Sequence, residues 1–168
     1  RRADRIVCDS AFTRDRLAAA WPDRAAAADV VLLAPDPALA EAPRDDGPLA
    51  RLDLPRPFVV NVGTIEPRKN LPVLLAAMQG LPDVTLVQCG PTGWNVSDVL
   101  RKSAGMPNVR RLGYVDAPLL AALYRAASAA VFTTRYEGFH IPPLDAAAAG
   151  CPVVASAIPV HREILGDG

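Results

Sequence analysis

Two stretches of this sequence combine charge, glycine and proline in patterns suited to binding anions and hydroxyls. The first is Val62-Gly63-Thr64-Ile65-Glu66-Pro67-Arg68-Lys69-Asn70-Leu71-Pro72. An apolar run ends at Gly63, and a helix is expected to start with Asn70 as its N-cap and Pro72 in its first turn. In open α/β sheets ligands sit beyond the carboxyl ends of the strands. Arg68 and Lys69 then lie beside a helix N-terminus, where two cations and free backbone N–H groups suit a diphosphate. A solvated basic pair in a surface loop is the alternative.

The second stretch is Tyr136-Glu137-Gly138-Phe139-His140-Ile141-Pro142-Pro143-Leu144-Asp145, again between an apolar run and a helical pattern. Pro142 and Pro143 suit a first helical turn, where their missing N–H groups have no partner to lose. Gly138 permits a tight turn or the close approach of a ligand. Asp145 falls early in the helix, either complementing the helix dipole for about 0.3–1 kcal/mol or accepting two hydrogen bonds from a vicinal diol such as a ribose. Glu137, just past a strand end, either binds a sugar hydroxyl or is a solvated loop acid.

An alternation of short β-branched runs and Ala/Leu-rich stretches positions these segments. Strands are expected near 6–8, 30–33, 58–62, 84–89, 109–112, 129–132 and 153–155. Helices are expected over 12–21, 71–79, 98–103, 118–127, 142–149 and 159–165. This is the pattern of βα units: an α/β, Rossmann-like fold with a mostly parallel sheet and helices on both faces. Residues 35–57 hold six prolines and several charges and read as a linker, separating a short βα piece over 1–34 from the body over 58–168.

Composition sets the outer limits. Of the 168 residues 51% are apolar, enough for one domain with a sizeable core. Eighteen basic residues balance eighteen acidic ones, so no global field draws in nucleic acid, and any anion site has to be local. Cys8, Cys89 and Cys151 are far apart and odd in number, which suits core residues of a reducing compartment rather than a disulfide or zinc framework. No metal-ligand spacing, P-loop or nucleophile-elbow pattern is present. No apolar run reaches the roughly 18 residues of a membrane span, so a cytoplasmic setting is expected. The chain opens on Arg1-Arg2-Ala3 rather than Met, as a piece of a longer protein would.

The run from Phe58 to Gly168 resembles the C-terminal domain of the group 1 (family 4) retaining glycosyltransferases of the GT-B fold. The resemblance is carried by VGTIEPRKNLPVLLAA, a strand ending in Gly90, LGYVDAPLLAALYRAA, RYEGFHIPPLDAAAAGCPVVAS and HREILGDG. Residues 1–34 resemble the last βα unit of the acceptor-side domain, and the stretch to 168 an incomplete donor domain. The resemblance implies transfer of a sugar from a nucleoside-diphosphate sugar to an unidentified acceptor (glycan, lipid-linked sugar or small molecule), without metal or cofactor. The EPRKN form leans towards GDP-mannose. The resemblance also leaves room for peripheral membrane association of the full-length enzyme.

By the same resemblance Arg68 and Lys69 bind the donor diphosphate, Glu137 touches the donor sugar, and Asp145 takes the ribose hydroxyls. The backbone of Gly138, Phe139, His140 and Ile141 holds sugar or phosphate. Gly113, Tyr114 and Val115 line the base, and Gly63 keeps the first strand–loop junction open. Arg68, Lys69 and Glu137 are the catalytic set. Two positions depart from the family: Asp145 stands for a usual Glu, and His140 for a usual Gly, where it either shapes sugar selectivity or points away. His161 reads as a surface histidine, and Trp21 and Trp94 as packing or pocket-edge residues. Half of a two-domain enzyme is not expected to transfer sugar alone. A non-catalytic nucleotide-sugar-binding module and a GT-B sugar-nucleotide epimerase are the other readings. The Arg68-Lys69 and Glu137/Asp145 spacing speaks against the epimerase, and a donor-hydrolysis assay separates module from transferase.

Overall fold

The structure is a computed structural model that describes residues 3–43, 45 and 47–166. Arg1, Arg2, Asp167 and Gly168, at the ends of the two resembling stretches, lie outside the described residues. The chain begins with β1 (Ile6–Cys8), α1 (Ala11–Ala20), α2 (Pro22–Ala25) and β2 (Ala28–Val30). β1 and β2 form a two-stranded parallel pair with Ile6 opposite Ala28. α1 starts behind Ser10, whose backbone is extended and whose Oγ accepts from the Thr13 N–H at 2.9 Å, an N-cap bond that satisfies a donor the helix cannot. The second strand was expected over 30–33. It lies earlier because β1 offers only three residues to pair with, and Val31, Leu32 and Leu33 are left exposed.

The proline-rich stretch is more structured than a linker. It holds α3 (Pro37–Ala40) and α4 (Gly47–Ala50), which place Leu39 and Leu49 in the main core. Asp36 caps α3 by accepting the Ala38 N–H at 2.9 Å.

The body follows as β3 (Phe58–Val62), a 3-10 turn at Pro67–Lys69, α5 (Leu71–Gln79), β4 (Thr85–Cys89), α6 (Ser97–Ala104), β5 (Val109–Gly113), α7 (Ala117–Ala126), β6 (Ala129–Phe132), α8 (Ile141–Ala148), β7 (Val153–Ala155) and α9 (Pro159–Leu165). Its sheet is fully parallel in the order β5-β4-β3-β6-β7. The chain runs outward from β3 to β5, then returns to the other side of β3, so the strand order reverses between β3 and β6. A reversal of this kind is where open α/β sheets form a crevice for ligands, beyond the carboxyl ends of the two strands. Each face carries its own core. One joins Phe58, Val60, Val87, Tyr124 and Phe132 beneath α7 and α8; the other joins Leu71, Leu75, Met78 and Leu86 beneath α5. Leu86 and Val87, neighbours on β4, are both fully buried on opposite faces, as a central strand covered on both sides requires. Among the described residues, no helix is long and apolar enough to cross a membrane.

Candidate functional site

The two motif stretches become the two loops that flank the crevice, one after β3 and one after β6. They are stitched together by backbone. Arg135 donates its N–H to the Arg68 carbonyl at 2.9 Å, and the Thr133 hydroxyl lies 3.1 Å from the Asn70 carbonyl. Close approach of the strand ends is possible because Gly90 lacks a Cβ: one placed there would stand 2.2 Å from the Gly63 carbonyl oxygen, at a backbone φ of 129°. Asn70 does precede α5, but at φ 53° and without a side-chain cap bond, because it also closes the 3-10 turn.

Arg68, Lys69 and Glu137 converge. Glu137 is buried; its Oε1 accepts from the Thr134 hydroxyl at 2.9 Å and meets Lys69 Nζ at 2.8 Å, while Oε2 pairs with Arg68. Arg68 also pairs with Glu66. The two acids and two cations sum to zero formal charge, so an anion entering here exchanges for a carboxylate rather than meeting bare cations. Burial pushes the Glu137 carboxyl up, but the Lys69 bond and charge, with smaller help from His140 and the Thr134 hydroxyl, outweigh it and hold the group below the ordinary value. The Arg68 side chain is 40% exposed and Lys69 17%, so the guanidinium is the more reachable cation.

α8 begins at Ile141, directly after His140, whose Nε2 lies 3.9 Å from Glu137 Oε1. Pro142 and Pro143 supply no N–H, so the free donors of this helix end narrow to the backbone of Ile141 and the loop before it. Asp145 is one turn further along than the helix start, outside the first turn, where complementing the dipole is weak. It is buried, and its Oδ1 accepts the Asp36 N–H at 2.8 Å, tying α8 to the segment before α3. Burial, partly offset by that bond, raises its pKa.

Residues 50–168 match the family described as Glycosyl transferases group 1. The chain belongs to the group 1 glycosyl transferases. It is 40% identical over 119 residues to an O-antigen chain mannosyltransferase B of Escherichia coli, covering 66% of this chain and 31% of that protein. It is 38% identical over 112 residues to a phosphatidyl-myo-inositol mannosyltransferase of Mycolicibacterium smegmatis, covering 61% of this chain and 28% of the other. The chain thus spans about a third of the length of these curated relatives. Among solved structures it superposes on Anabaena HepE, crystallised with UDP and glucose, at a TM-score of 0.82 and 22% identity, over 96% of this chain and 46% of that one. A sucrose-phosphate synthase of Thermosynechococcus elongatus gives a TM-score of 0.73 at 28% identity, over 96% and 42%. Its solved neighbours are GT-B glycosyltransferases, and the expected Rossmann-like α/β fold is the one observed.

Other expected residues of this group 1 member are more scattered. Gly63 (φ 146°) sits at the crevice beside the Lys69 side chain. Gly113, Tyr114 and Val115 leave the far strand β5, with Tyr114 83% exposed. Phe139 is buried, so only its backbone faces the loop. Gly138 makes room for the N-terminal unit: a Cβ there would lie 3.3 Å from Thr13 Oγ1 and 3.4 Å from Asp9 Oδ2. Ser10 donates to the Gly138 carbonyl at 2.6 Å.

Three features escaped the sequence reading. His161 is buried, not on the surface, because α9 is packed between α1 and α8. Its Nδ1 lies 2.7 Å from the Ser156 carbonyl and its Nε2 2.8 Å from His140 Nδ1. Glu163 caps α1, accepting the Ala11 and Phe12 N–H groups at 2.6 and 3.0 Å. Thr134 holds Glu137. Neither Trp21 nor Trp94 packs inside, at 64% and 65% exposed.

Proposed function

We propose that this chain is the donor-binding part of a retaining hexosyltransferase, holding a nucleoside-diphosphate sugar at the carboxyl ends of β3 and β6. The observation that carries this reading is the convergence of Arg68, Lys69 and Glu137 in the crevice where the strand order reverses. The diphosphate takes Arg68 and Lys69 in place of Glu137. The released Glu137 carboxylate then accepts from hydroxyls of the donor sugar. Backbone groups from Gly138 to Ile141 hold the sugar or phosphate, Asp145 offers its second oxygen to the ribose diol, and Gly113, Tyr114 and Val115 line the base. Catalysis rests on stabilising the charge that grows on the leaving diphosphate and on placing the acceptor, with no metal required.

The relatives named as mannosyltransferases support a hexose donor of the GDP-mannose type. Three free, buried cysteines agree with a reducing, cytoplasmic setting. The acceptor is a glycan, lipid-linked sugar or small molecule. A GT-B active site lies between two domains, so the 168-residue chain alone is expected to bind donor without transferring it. Thermal-shift screening against nucleosides, nucleoside diphosphates and nucleotide sugars tests the reading, since a ligand of the folded state raises apparent stability. A shift with diphosphates and nucleotide sugars of one base is expected; no shift with any of them would refute a donor site.

A further inference from the structure

His140 carries two costs at once. Its backbone sits at φ 86°, a left-handed conformation uncommon for residues other than glycine. Its side chain is 2% exposed, and its Nε2 has no hydrogen-bond partner. An orphaned buried acceptor costs about 1–3 kcal/mol, and a native fold that retains one calls for an explanation.

The surroundings fix which form the ring takes. The Ser156 carbonyl, 2.7 Å from His161 Nδ1, can only accept, so His161 Nδ1 carries the hydrogen. Burial and the neighbouring Lys69 charge lower the affinity of both rings for a proton, taking His140 down to about 3, so both are neutral. His161 Nε2 is then a lone pair, and His140 Nδ1, 2.8 Å away, must donate to it. That leaves His140 Nε2 as a lone pair as well. The near-parallel stacking of the two rings, 5.1 Å between centroids, and the Phe132 ring edge-on at 5.2 Å stop the imidazole turning over.

The charged groups around this lone pair are Glu137, Lys69 and, further off, Arg68. Glu137 Oε1 lies 3.9 Å from Nε2. Two acceptors at that spacing have no hydrogen to share between them. They match two neighbouring hydroxyls of a pyranose, each donating over about 2.8 Å. A phosphate oxygen, itself an acceptor, is repelled from this corner. We infer that His140 Nε2 accepts a hydrogen bond from a donor-sugar hydroxyl adjacent to the one that Glu137 binds, making His140 a specificity-determining residue. This rests on the donor-site reading above and adds a side chain to it.

Calorimetry with UDP, GDP and the matching nucleotide sugars tests it, on the wild type and on His140→Phe, His140→Gln and His140→Gly. The glycine variant suits φ 86° and guards against a failure to fold. Phe and Gly variants are expected to bind the nucleoside diphosphate within about twofold of wild type and the nucleotide sugar about five- to tenfold more weakly. Gln, which restores an acceptor, recovers part of the loss. A deoxy sugar lacking the relevant hydroxyl weakens wild type and leaves His140→Phe unaffected. Wild-type-like sugar binding in Phe and Gly variants, or equal losses of sugar and diphosphate, overturns the inference while leaving the donor site standing. No diphosphate binding by the wild type overturns both.

Discussion

Glu137 illustrates how opposing contributions at one residue set both stability and chemistry. Desolvation favours its neutral form, and Lys69 and Thr134 favour the charged one and win. A carboxyl depressed below its ordinary 4.5 stabilises the fold above that pH and loses the contribution as pH falls through the folded value. The imidazoles act over a higher window. His140 goes from 6.5 to about 3 on folding, so its contribution is complete above pH 6.5 and is lost as pH falls towards 3. His161, also lowered, has the same sign. Melting temperature is therefore expected to drop steadily below pH 6.5, and the drop should be shallower in His140→Phe; identical profiles by circular dichroism would mean the ring is not neutral and buried. At the ligand level, Glu137→Gln should weaken a nucleotide sugar but spare the nucleoside diphosphate, whereas Asp145→Asn should weaken both. Equal damage to diphosphate binding by Glu137→Gln would remove its sugar role. The position of Arg68 and Lys69 between β3 and α5 was legible in the sequence because glycine, proline and asparagine bracket them. The burial of His161 was not, since it comes from α9 packing against α1 and α8, contacts that no local pattern encodes.

Elements were legible where the local pattern and the tertiary demand agree. The five strands of the main sheet and their helices fall where β-branched runs and Ala/Leu stretches place them. The interior strands are largely apolar because both their faces are covered, whereas the edge strand β5 exposes Arg110 and Arg111. The proline-rich stretch carries two one-turn helices because prolines both interrupt helices and start them. Pro37 begins α3, and the apolar Leu39 and Leu49 are what hold the segment on the body. Glycines separate in the same way. Gly90→Ala should cost about 3 kcal/mol or more, from a backbone conformation open almost only to glycine and a Cβ 2.2 Å from the Gly63 carbonyl oxygen. Gly113→Ala has the same sign of φ, 70°, but open space around it, and should cost about 1–2 kcal/mol. Denaturant midpoints at matched m-values check the ranking; a Gly113→Ala loss as large as that of Gly90→Ala would contradict the close strand–loop approach at Gly63.

Across the whole molecule, the N-terminal unit docks on the same loop that carries Glu137. Ser10 donates to the Gly138 carbonyl, Glu163 caps α1, and Phe12 meets Tyr136 edge-on at 5.6 Å. Glu163→Ala should therefore raise hydrogen exchange in α1 and in residues 136–140 together; a change confined to α1 would mean the two are not coupled. On the proposed reading, transfer needs a second domain to close over the donor, exclude water and place the acceptor. Positioning supplies up to about 7–11 kcal/mol of a transfer reaction, and that reading assigns much of it to the second domain. The 168-residue chain is thus expected to bind donor and transfer nothing, a result readable by radiolabelled transfer beside the whole enzyme. Donor binding without transfer or hydrolysis by the whole enzyme would favour a binding module. The account rests most directly on the basic pair, and calorimetry of the free nucleoside and the nucleoside diphosphate against wild type, Arg68→Ala and Lys69→Ala tests it. Each substitution is predicted to cost the diphosphate about 1.5–3 kcal/mol and the nucleoside almost nothing; equal losses for the two ligands would contradict a diphosphate site at Arg68 and Lys69.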